Sequence, residues 1–337
     1  MTLRNGPVRP RFPLSLVHPL GPFFRYLPLS LRRHLLYLRH MRHWGNFATP
    51  LLWSEKLQWR ILNDRRALLA VASDKLASKA LVASIAQRID TALPLRIPET
   101  YWVGTDVREL QRLAARLPQR WVLKPNNSSG RVRLIDASTG PVPWGELVRI
   151  GDAWTQPDEE STELGHWGYK EARTLLIAEE RIGSGDGPPA DLRSQVFDGR
   201  LFRLDYSEGY GTSAHRVAEF DRDLDTRIPT GLDIDYGSID QTPIEAIPRN
   251  QREAIRTIVE QIGSAFDYVR VDGYFDGGCY WFGELTAYTS GGLGPFGDEL
   301  ERSAGTAWTL PNLVAPDPRE AEWRALLTGT PKGTLQA

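Results

Sequence analysis

The chain of 337 residues is 41% hydrophobic and 25% charged, the make-up of one large or two ordinary folded domains, which excludes a disordered, collagen-like or long coiled-coil protein. Its single cysteine, Cys279, excludes an intramolecular disulfide framework and a cysteine-rich zinc site and fits a reducing cytosol. The net charge of -1 conceals an asymmetry: no Asp or Glu precedes Glu55, so Arg4, Arg9, Arg11, Arg25, Arg32, Arg33, Arg39 and Arg42 give the first 54 residues +8 and leave -9 to the rest.

In that basic arm, His18, Arg25, Arg32 and repeated prolines cut every apolar stretch. No run approaches the roughly 20 residues of a membrane span, and none forms a clean signal-peptide core. Ser30 is placed to cap a helix on which Leu31, Leu35, Leu38 and Met41 recur at spacings of four, three and three, while Arg32, Arg33, Arg39 and Arg42 fall mostly elsewhere. Such a helix is expected first to pack its apolar stripe on its own domain with the arginines solvated. Peripheral contact of residues 1–46 with an anionic membrane is the second reading, and another polyanion the third.

Ser54 to Ser73 predicts one helix with Leu57, Ile61, Leu68 and Val71 inward, and Asp74 to Gln87 a second with Leu76, Ala80, Leu81 and Ile85 inward. Pro94 and Pro98 close this helical region. Ile97 to Val103 predicts a strand, Asp106 to Leu117 a helix, Trp121 to Lys124 a short strand entering a polar loop, and Arg131 to Ile135 the returning strand. Residues 151–168 have no clear period and predict an irregular connection. The second half turns to antiparallel sheet, with strands at Thr174 to Ala178, Leu192 to Phe197 and Leu201 to Tyr206, the last two joined at Asp198-Gly199. Residues 221–247 predict a long loop, Asn250 to Phe266 a helix, and Tyr268 to Phe275 with Cys279 to Thr286 a hairpin turned at Asp276-Gly277-Gly278. The fold class is therefore α+β.

Four segments carry candidate chemistry. Lys124-Pro125-Asn126-Asn127-Ser128-Ser129-Gly130 sets a lysine at a strand end before a small polar loop whose N–H groups could cradle phosphate, although such loops are also plain hairpin turns. Lys75 stands at a helix start, where free N–H groups favour an anion; in a chain with six lysines against 35 arginines its compact ammonium is notable, a surface lysine being the alternative. Leu175 to Ile182 is an apolar strand ending in Glu179-Glu180, whose backbone could meet an adenine edge and whose acids could take a ribose hydroxyl or a lysine, or simply face water. Asp272 and Glu284, across a hairpin, can share one face and hold a hard cation such as Mg²⁺, or be neutralised by arginines.

Taken in order, these residues resemble an ATP-grasp nucleotide site. The segments WSEKLQWRILNDR, SDKLASKALV, WVLKPNNSSG, LIAEERI, FDGRLFRLDY and VRVDGYFDGGCYWFGELTAYTSGG resemble the TupA-like ATP-grasp family, associated with teichuronopeptide and surface-polysaccharide genes, over roughly residues 50–300. The resemblance implies an ATP-grasp fold in which two α+β subdomains sandwich the nucleotide, with a helical N-terminal region. It implies the divisions 1–54 (basic arm), 55–104 (helical part of the catalytic domain), 105–182 (subdomain with the lid loop), 183–310 (subdomain with the metal site) and 311–337 (tail). ATP and Mg²⁺ are the implied cofactors. Lys75 and Lys124 would meet phosphates, with Ser128, Ser129 and Gly130 in the lid. Glu179, Glu180 and Ile182 would form the adenine hinge, and Asp272 and Glu284 would hold Mg²⁺, Thr286 standing in the Asn-like place of the Glu-x-Asn metal pattern.

The implied chemistry is γ-phosphoryl transfer to a substrate carboxylate followed by displacement with an amine, needing positioning and charge neutralisation but no protein nucleophile. Arg270, His215 and Arg216 are candidates to stabilise the acyl phosphate or bind a carboxylate, with Arg193 and Arg203 as lesser ones. The expected partners are a small-molecule or glycan carboxylate and an amine, such as an amino acid with a uronic acid or small peptide. No nucleic acid is expected, and the expected site of action is the cytoplasm or the inner face of its membrane. A kinase using the same cleft, a polysaccharide glycosyltransferase and a binding module at a membrane surface are the competing functions.

Overall fold

The computed structural model describes residues 21–156, 159–183, 189–209, 216–224, 227–228, 247–294, 297–331 and 333–335. After a 3-10 turn at Gly21–Tyr26 come α1 (Leu29–Met41), α2 (Trp53–Asn63), α3 (Ala67–Ser73), α4 (Lys75–Ala86), β1 (Leu95–Arg96), β2 (Thr100–Gly104), α5 (Val107–Arg112), β3 (Arg120–Pro125) and β4 (Arg133–Asp136). The chain continues through α6 (Trp144–Trp154), α7 (Glu159–Leu164), α8 (Trp167–Glu171), β5 (Leu176–Glu180), β6 (Ala190–Phe197), β7 (Arg200–Glu208), β8 (Arg216–Phe220) and β9 (Arg227–Ile228). It ends with α9 (Arg249–Gly263), β10 (Tyr268–Asp276), β11 (Cys279–Thr286), α10 (Asp298–Ala307) and α11 (Glu320–Thr328). The strands form a four-stranded sheet, β2-β5-β3-β4, and a seven-stranded sheet, β1-β11-β10-β6-β7-β8-β9. All pairings are antiparallel except β1 with β11.

Both expected hairpins form where the turn chemistry demands positive φ. Asp198 and Gly199 have φ of 47° and 72°, and Gly277 and Gly278 of 58° and 70°, as tight primed turns require. A Cβ on Gly277 or Gly278 would meet nothing within 4 Å, so backbone conformation, not space, selects glycine there.

Each sheet has its own core. Trp102, Val107, Leu110, Trp121, Leu123, Leu147 and Leu176 pack around the four-stranded sheet. The larger core joins residues of α3 and α4 to Leu192, Leu204, Val269, Val271 and Phe282 of the seven-stranded sheet and to Ile255, Ile258 and Ile262 of α9. The helices before β1 thus pack with the second-half sheet. The final segment returns too: Trp323 joins the larger core, while the Thr334 and Leu335 N–H groups donate to the Thr100 and Tyr101 carbonyls at 2.9 and 2.8 Å.

Four local expectations are corrected. The single helix predicted over 54–73 is two, because the Asp64 carboxylate accepts from the Arg66 N–H at 3.1 Å and from its guanidinium at 2.6 Å, stabilising an extended residue at ψ 122°. Of the strand predicted at 97–103 only 100–103 forms, in β2 of the four-stranded sheet; β1 lies just before the predicted span in the other sheet, and Pro98, with no N–H to donate, falls between the two. Much of 151–168 is helical, in α6, α7 and α8; Gly151 lets α6 approach closely, since a Cβ there would lie 2.4 Å from Val107 Cγ2.

The fourth correction concerns α1, which starts after Pro28 rather than at a Ser30 cap. Its buried residues are Arg33, Leu36 and Tyr37, whereas Leu31 and Leu38 of the predicted inward stripe are 39% and 41% exposed. Arg33 is fully buried, donating to Gln58 Oε1 at 2.6 Å, to the Leu164 carbonyl at 3.4 Å and to the Gly291 carbonyl. The Tyr37 and Ser54 hydroxyls meet at 2.8 Å. Directed polar contacts of Arg33 and Tyr37, beside the buried Leu36, dock this helix in place of the predicted stripe.

A second buried arginine clamps the hairpin from outside. Arg60 donates to the Tyr268 and Ala287 carbonyls at 2.9 and 3.1 Å and to Asp267 at 2.6 Å. Asp267 also accepts from Arg66 and from Trp308 Nε1, each at 2.7 Å. Burial would push the Asp267 carboxyl up, but the two guanidinium groups outweigh it and hold it down.

His166 stacks on Tyr288, ring centroids 5.2 Å apart, with Nε2 buried and no hydrogen-bond partner. Burial, with Arg33 nearby, pushes its pKa down to about 3. The unfolded chain therefore binds the extra proton first, so this contribution is intact above an unfolded pKa of about 6.5 and is lost as pH falls toward 3. His166→Phe should keep the stacking and flatten the fall of stability between about pH 6.5 and 5, by at most ~1.4 kcal/mol per pH unit, in denaturant titrations beside the wild type.

Candidate active site

The site begins at the N-terminus of α4. Asp74 caps it by accepting from the Ala77 N–H at 2.8 Å and grips Arg173 through bonds of 2.8 and 2.7 Å to Nε and Nη2. An N-cap and a buried fork on one carboxylate fix both the start of α4 and the approach to β5. Asn126, at the end of β3, completes the joint: its carbonyl accepts from the Lys75 N–H at 3.2 Å and its Oδ1 from the Leu76 N–H at 3.0 Å. Two of the free N–H groups at the helix start are thereby satisfied by the polar loop.

Three lysines converge here. Lys75 donates to the Ser128 carbonyl and lies 3.8 Å from Glu284 on β11. One turn later, Lys79 donates to Glu179 at 2.6 Å, to the Pro98 carbonyl at 2.9 Å and to Thr100 Oγ1 at 3.0 Å. Lys124 on β3 pairs with the other oxygen of Glu179. Burial lowers the pKa of both Lys75 and Lys79, against the pull of nearby carboxylates. Burial would raise Glu179, but the Lys124 and Lys79 ammonium groups prevail and hold it below the usual carboxylate range.

Of the expected phosphate loop, Asn126, Asn127 and Ser128 are buried, whereas Ser129 and Gly130 are exposed, Gly130 with φ of 70°. The segment proposed as a lid is thus anchored through its first three residues, leaving the Ser129-Gly130 end outermost. At the expected hinge, Glu179 faces the lysines while Glu180 is tied to Glu99, its N–H donating to the Glu99 carbonyl at 2.8 Å and its carboxylate accepting the Glu99 N–H at 3.0 Å. Ile182, just past β5, is half-buried.

Asp272 and Glu284 are direct partners across β10 and β11, as expected. The Arg270 fork holds Asp272 by bonds of 2.6 and 2.5 Å, and the Thr286 hydroxyl lies 3.2 Å from Arg270 and 3.3 Å from Asp272. Burial pushes the Asp272 pKa up to about 6; Arg270 opposes this and the Glu284 charge adds to it. Among the described residues no group of three or more His, Cys, Asp or Glu could hold a metal by itself. Two adjacent hard-oxygen carboxylates do suit Mg²⁺, which commonly takes one or two protein carboxylates and completes its shell with water and phosphate.

The bidentate face of Arg270 thus belongs to Asp272. Arg193 pairs with Asp191 at 2.6 Å, and Arg203 pairs with Asp205 at 2.9 Å and with Glu219. Arg216 opens β8, opposite Glu208 of β7, and His215 lies outside the described residues. Sequence reasoning missed Lys79, Asp74, Asn126 as a helix tether, and Arg173. Lys79 had a signal: it is one of six lysines and sits four residues after Lys75, on the same helix face.

A family model described as TupA-like ATP-grasp matches residues 55–307. A sequence comparison with curated proteins returns no match. Among solved structures, the chain is similar to the D-alanine–D-alanine ligase of Bacillus anthracis complexed with ATP, at 15% identity and TM-score 0.35, over 65% of this chain and 56% of that one. It is similar to the L-amino acid ligase of Bacillus licheniformis at 15% identity and TM-score 0.38, over 66% and 44%. It is also similar to the ATP-grasp ligase PsnB in complex with a precursor variant, Mg and ADP, at 14% identity and TM-score 0.36, over 82% and 68%. The chain spans about half the length of the first two.

Glu179→Gln leaves Lys79 and Lys124 facing each other without a buried counter-charge, and should cost about 3 kcal/mol or more at neutral pH. Burial already lowers the Lys79 pKa, so the deficit should shrink as pH rises from about 8 toward 10 and an ammonium loses its proton more readily in the folded variant. Denaturant titrations across that range would show it, and a constant deficit would assign the loss to packing.

Proposed function

The chain belongs to the TupA-like ATP-grasp family, and from that premise we propose that it is an ADP-forming ligase joining a carboxylate to an amine. The observation that carries the reading is the position of Lys75. Its ammonium donates to Ser128 of the small-residue loop and lies 3.8 Å from Glu284 of the carboxylate pair. A lysine ammonium, the small-residue loop and a pair of hard carboxylates thus lie together, which supports a site for a metal-bound triphosphate.

In this reading Lys75 exchanges the Ser128 carbonyl and Lys124 exchanges part of Glu179 for phosphate oxygens, so the charges are positioned before nucleotide arrives. Asp272 and Glu284 would hold Mg²⁺, with Thr286 and Arg270 orienting Asp272. When bound, the ion would neutralise charge on the phosphates. Residues 180–182 would supply the adenine hinge, Glu180 being braced by Glu99. Ser129 and Gly130, at the outer end of the anchored loop, would close over the phosphates.

The γ-phosphoryl passes from ATP to a substrate carboxylate oxygen, leaving ADP and an acyl phosphate; an amine then attacks the acyl carbon, phosphate departs and the amine proton goes to solvent. Lysine ammonium groups stabilise the charge spreading over the transferred group. Arg216 and His215 are proposed to meet the substrate carboxylate, and Arg270 acts at the acyl phosphate only as far as its hold on Asp272 allows. We assign as substrates a small-molecule or glycan carboxylate, such as a uronic acid or small peptide, and an amine such as an amino acid, joined in the cytoplasm.

Thermal unfolding with and without Mg-ATP tests the site. Nucleotide at about 100 times its dissociation constant adds roughly 2.7 kcal/mol, a rise of several degrees. Lys124→Ala and Glu284→Ala should lose that rise while remaining folded. ADP and free phosphate should then appear only when acid and amine are both present; a stable phosphorylated product would make the enzyme a kinase, and no nucleotide-induced rise would remove both readings.

A further inference from the structure

Among the described residues, nine large hydrophobic side chains are exposed, and six of them lie within 29 residues of one another: Phe23, Tyr26, Leu31, Leu38, Trp44 and Leu51. Phe23 and Tyr26 are more than 70% exposed on the 3-10 turn before α1. On α1 the spacing of Leu31, Leu35 and Leu38 places them on one face, opposite the buried Leu36 and Arg33. Trp44 extends that face, since His34 of α1 stacks against its ring at 4.8 Å. Arg39 and Arg42 stand exposed on the same helix end.

The arrangement reverses what an isolated globular protein favours. An arginine is placed in the core, where it must be satisfied by Gln58 and two carbonyls, while leucines and aromatic rings face outward. Scattered exposed leucines need no explanation, but clustered ones rimmed by charge mark a contact surface.

We propose that this face docks on an anionic lipid surface, with Phe23, Tyr26, Leu31, Leu38 and Trp44 entering the headgroup boundary and Arg39 and Arg42 meeting lipid phosphates. The charge selects this occupant. No acidic residue occurs in the first 54 residues against eight arginines. A second copy packed by a two-fold axis would therefore set Arg39 and Arg42 against their own equivalents, whereas an anionic bilayer complements both. Aromatic rings with polar edges and apolar side chains flanked by arginine suit the headgroup boundary. Residues 55–307 match the TupA-like ATP-grasp family model and this surface lies outside it, separate in sequence from the segments that carry the candidate active site.

Co-flotation of the full chain with vesicles tests this without nucleotide or turnover, so its outcome is independent of the ligase reading. The chain should float with phosphatidylcholine vesicles that contain phosphatidylglycerol, should stay behind with phosphatidylcholine alone, and should be released by salt. Arg39→Gln with Arg42→Gln should weaken binding by on the order of tenfold. Leu31→Ser with Leu38→Ser should weaken it by at least about as much; since Leu31 and Leu38 are only 39% and 41% exposed, thermal melts run beside the flotation check that each variant is folded at the flotation temperature. No flotation with the anionic vesicles overturns the proposal, as does flotation unaffected by the leucine substitutions, which would leave charge alone. A dimer in sedimentation equilibrium that the leucine substitutions dissociate would make a second copy the occupant instead.

Discussion

Glu179 sits buried between Lys79 and Lys124, a carboxylate oxygen turned to each. Two ammonium groups drawn from a helix and a strand into a place shielded from water repel each other at high cost unless an anion lies between them. That one carboxylate therefore ties α4, whose apolar residues lie in the larger core, to β3 and β5 of the four-stranded sheet. Lys79 is held further by Thr100 and the Pro98 carbonyl, while Lys75 turns to the Ser128 carbonyl and Glu284.

The carboxylate pair on the other sheet is positioned by a different device. β10 and β11 bring Asp272 opposite Glu284 by register alone, but like charges side by side tend to separate or protonate. Arg270 counters this from the same strand, two residues away, with a fork on Asp272. Farther along, Arg60 and Asp267 tie the start of the hairpin to α2 and to Trp308. Asp272 is thus fixed in place by Arg270, while Glu284 is the more accessible of the two and the one that reaches Lys75.

The N-terminal helix shows the same economy of charge applied outside the cleft. Arg33 is satisfied by Gln58 and by carbonyls of residues 164 and 291, stitching together α2, the segment after α7 and the turn that follows β11. That turn has three successive residues with positive φ, Ser290, Gly291 and Gly292, and their carbonyls have few backbone donors to meet. An arginine can satisfy several at once where a leucine would satisfy none. The leucine stripe is then left on the outer face, continuous with aromatic residues and solvated arginines.

Several elements were legible in the sequence because their causes are local. Asp198-Gly199 and Asp276-Gly277-Gly278 specify tight turns through φ, so both hairpins and the pairing of Asp272 with Glu284 follow from residue order. The lysine at the strand end and the small-residue loop after it were visible for the same reason. Three-dimensional packing decided what pattern could not. Residues 54–73 keep a helical period throughout, yet Asp64 closes on Arg66 and divides them. Lys79 shares a helix face with Lys75 by spacing, but it becomes a buried partner only because Glu179 approaches from the four-stranded sheet. Above all, the 3.6-residue period shows that α1 has an apolar face but not where that face points. Its direction depends on carbonyls and side chains 17 to 258 residues away that Arg33 and Tyr37 meet, and such hydrogen-bond accounting leaves no mark on a local hydrophobic pattern.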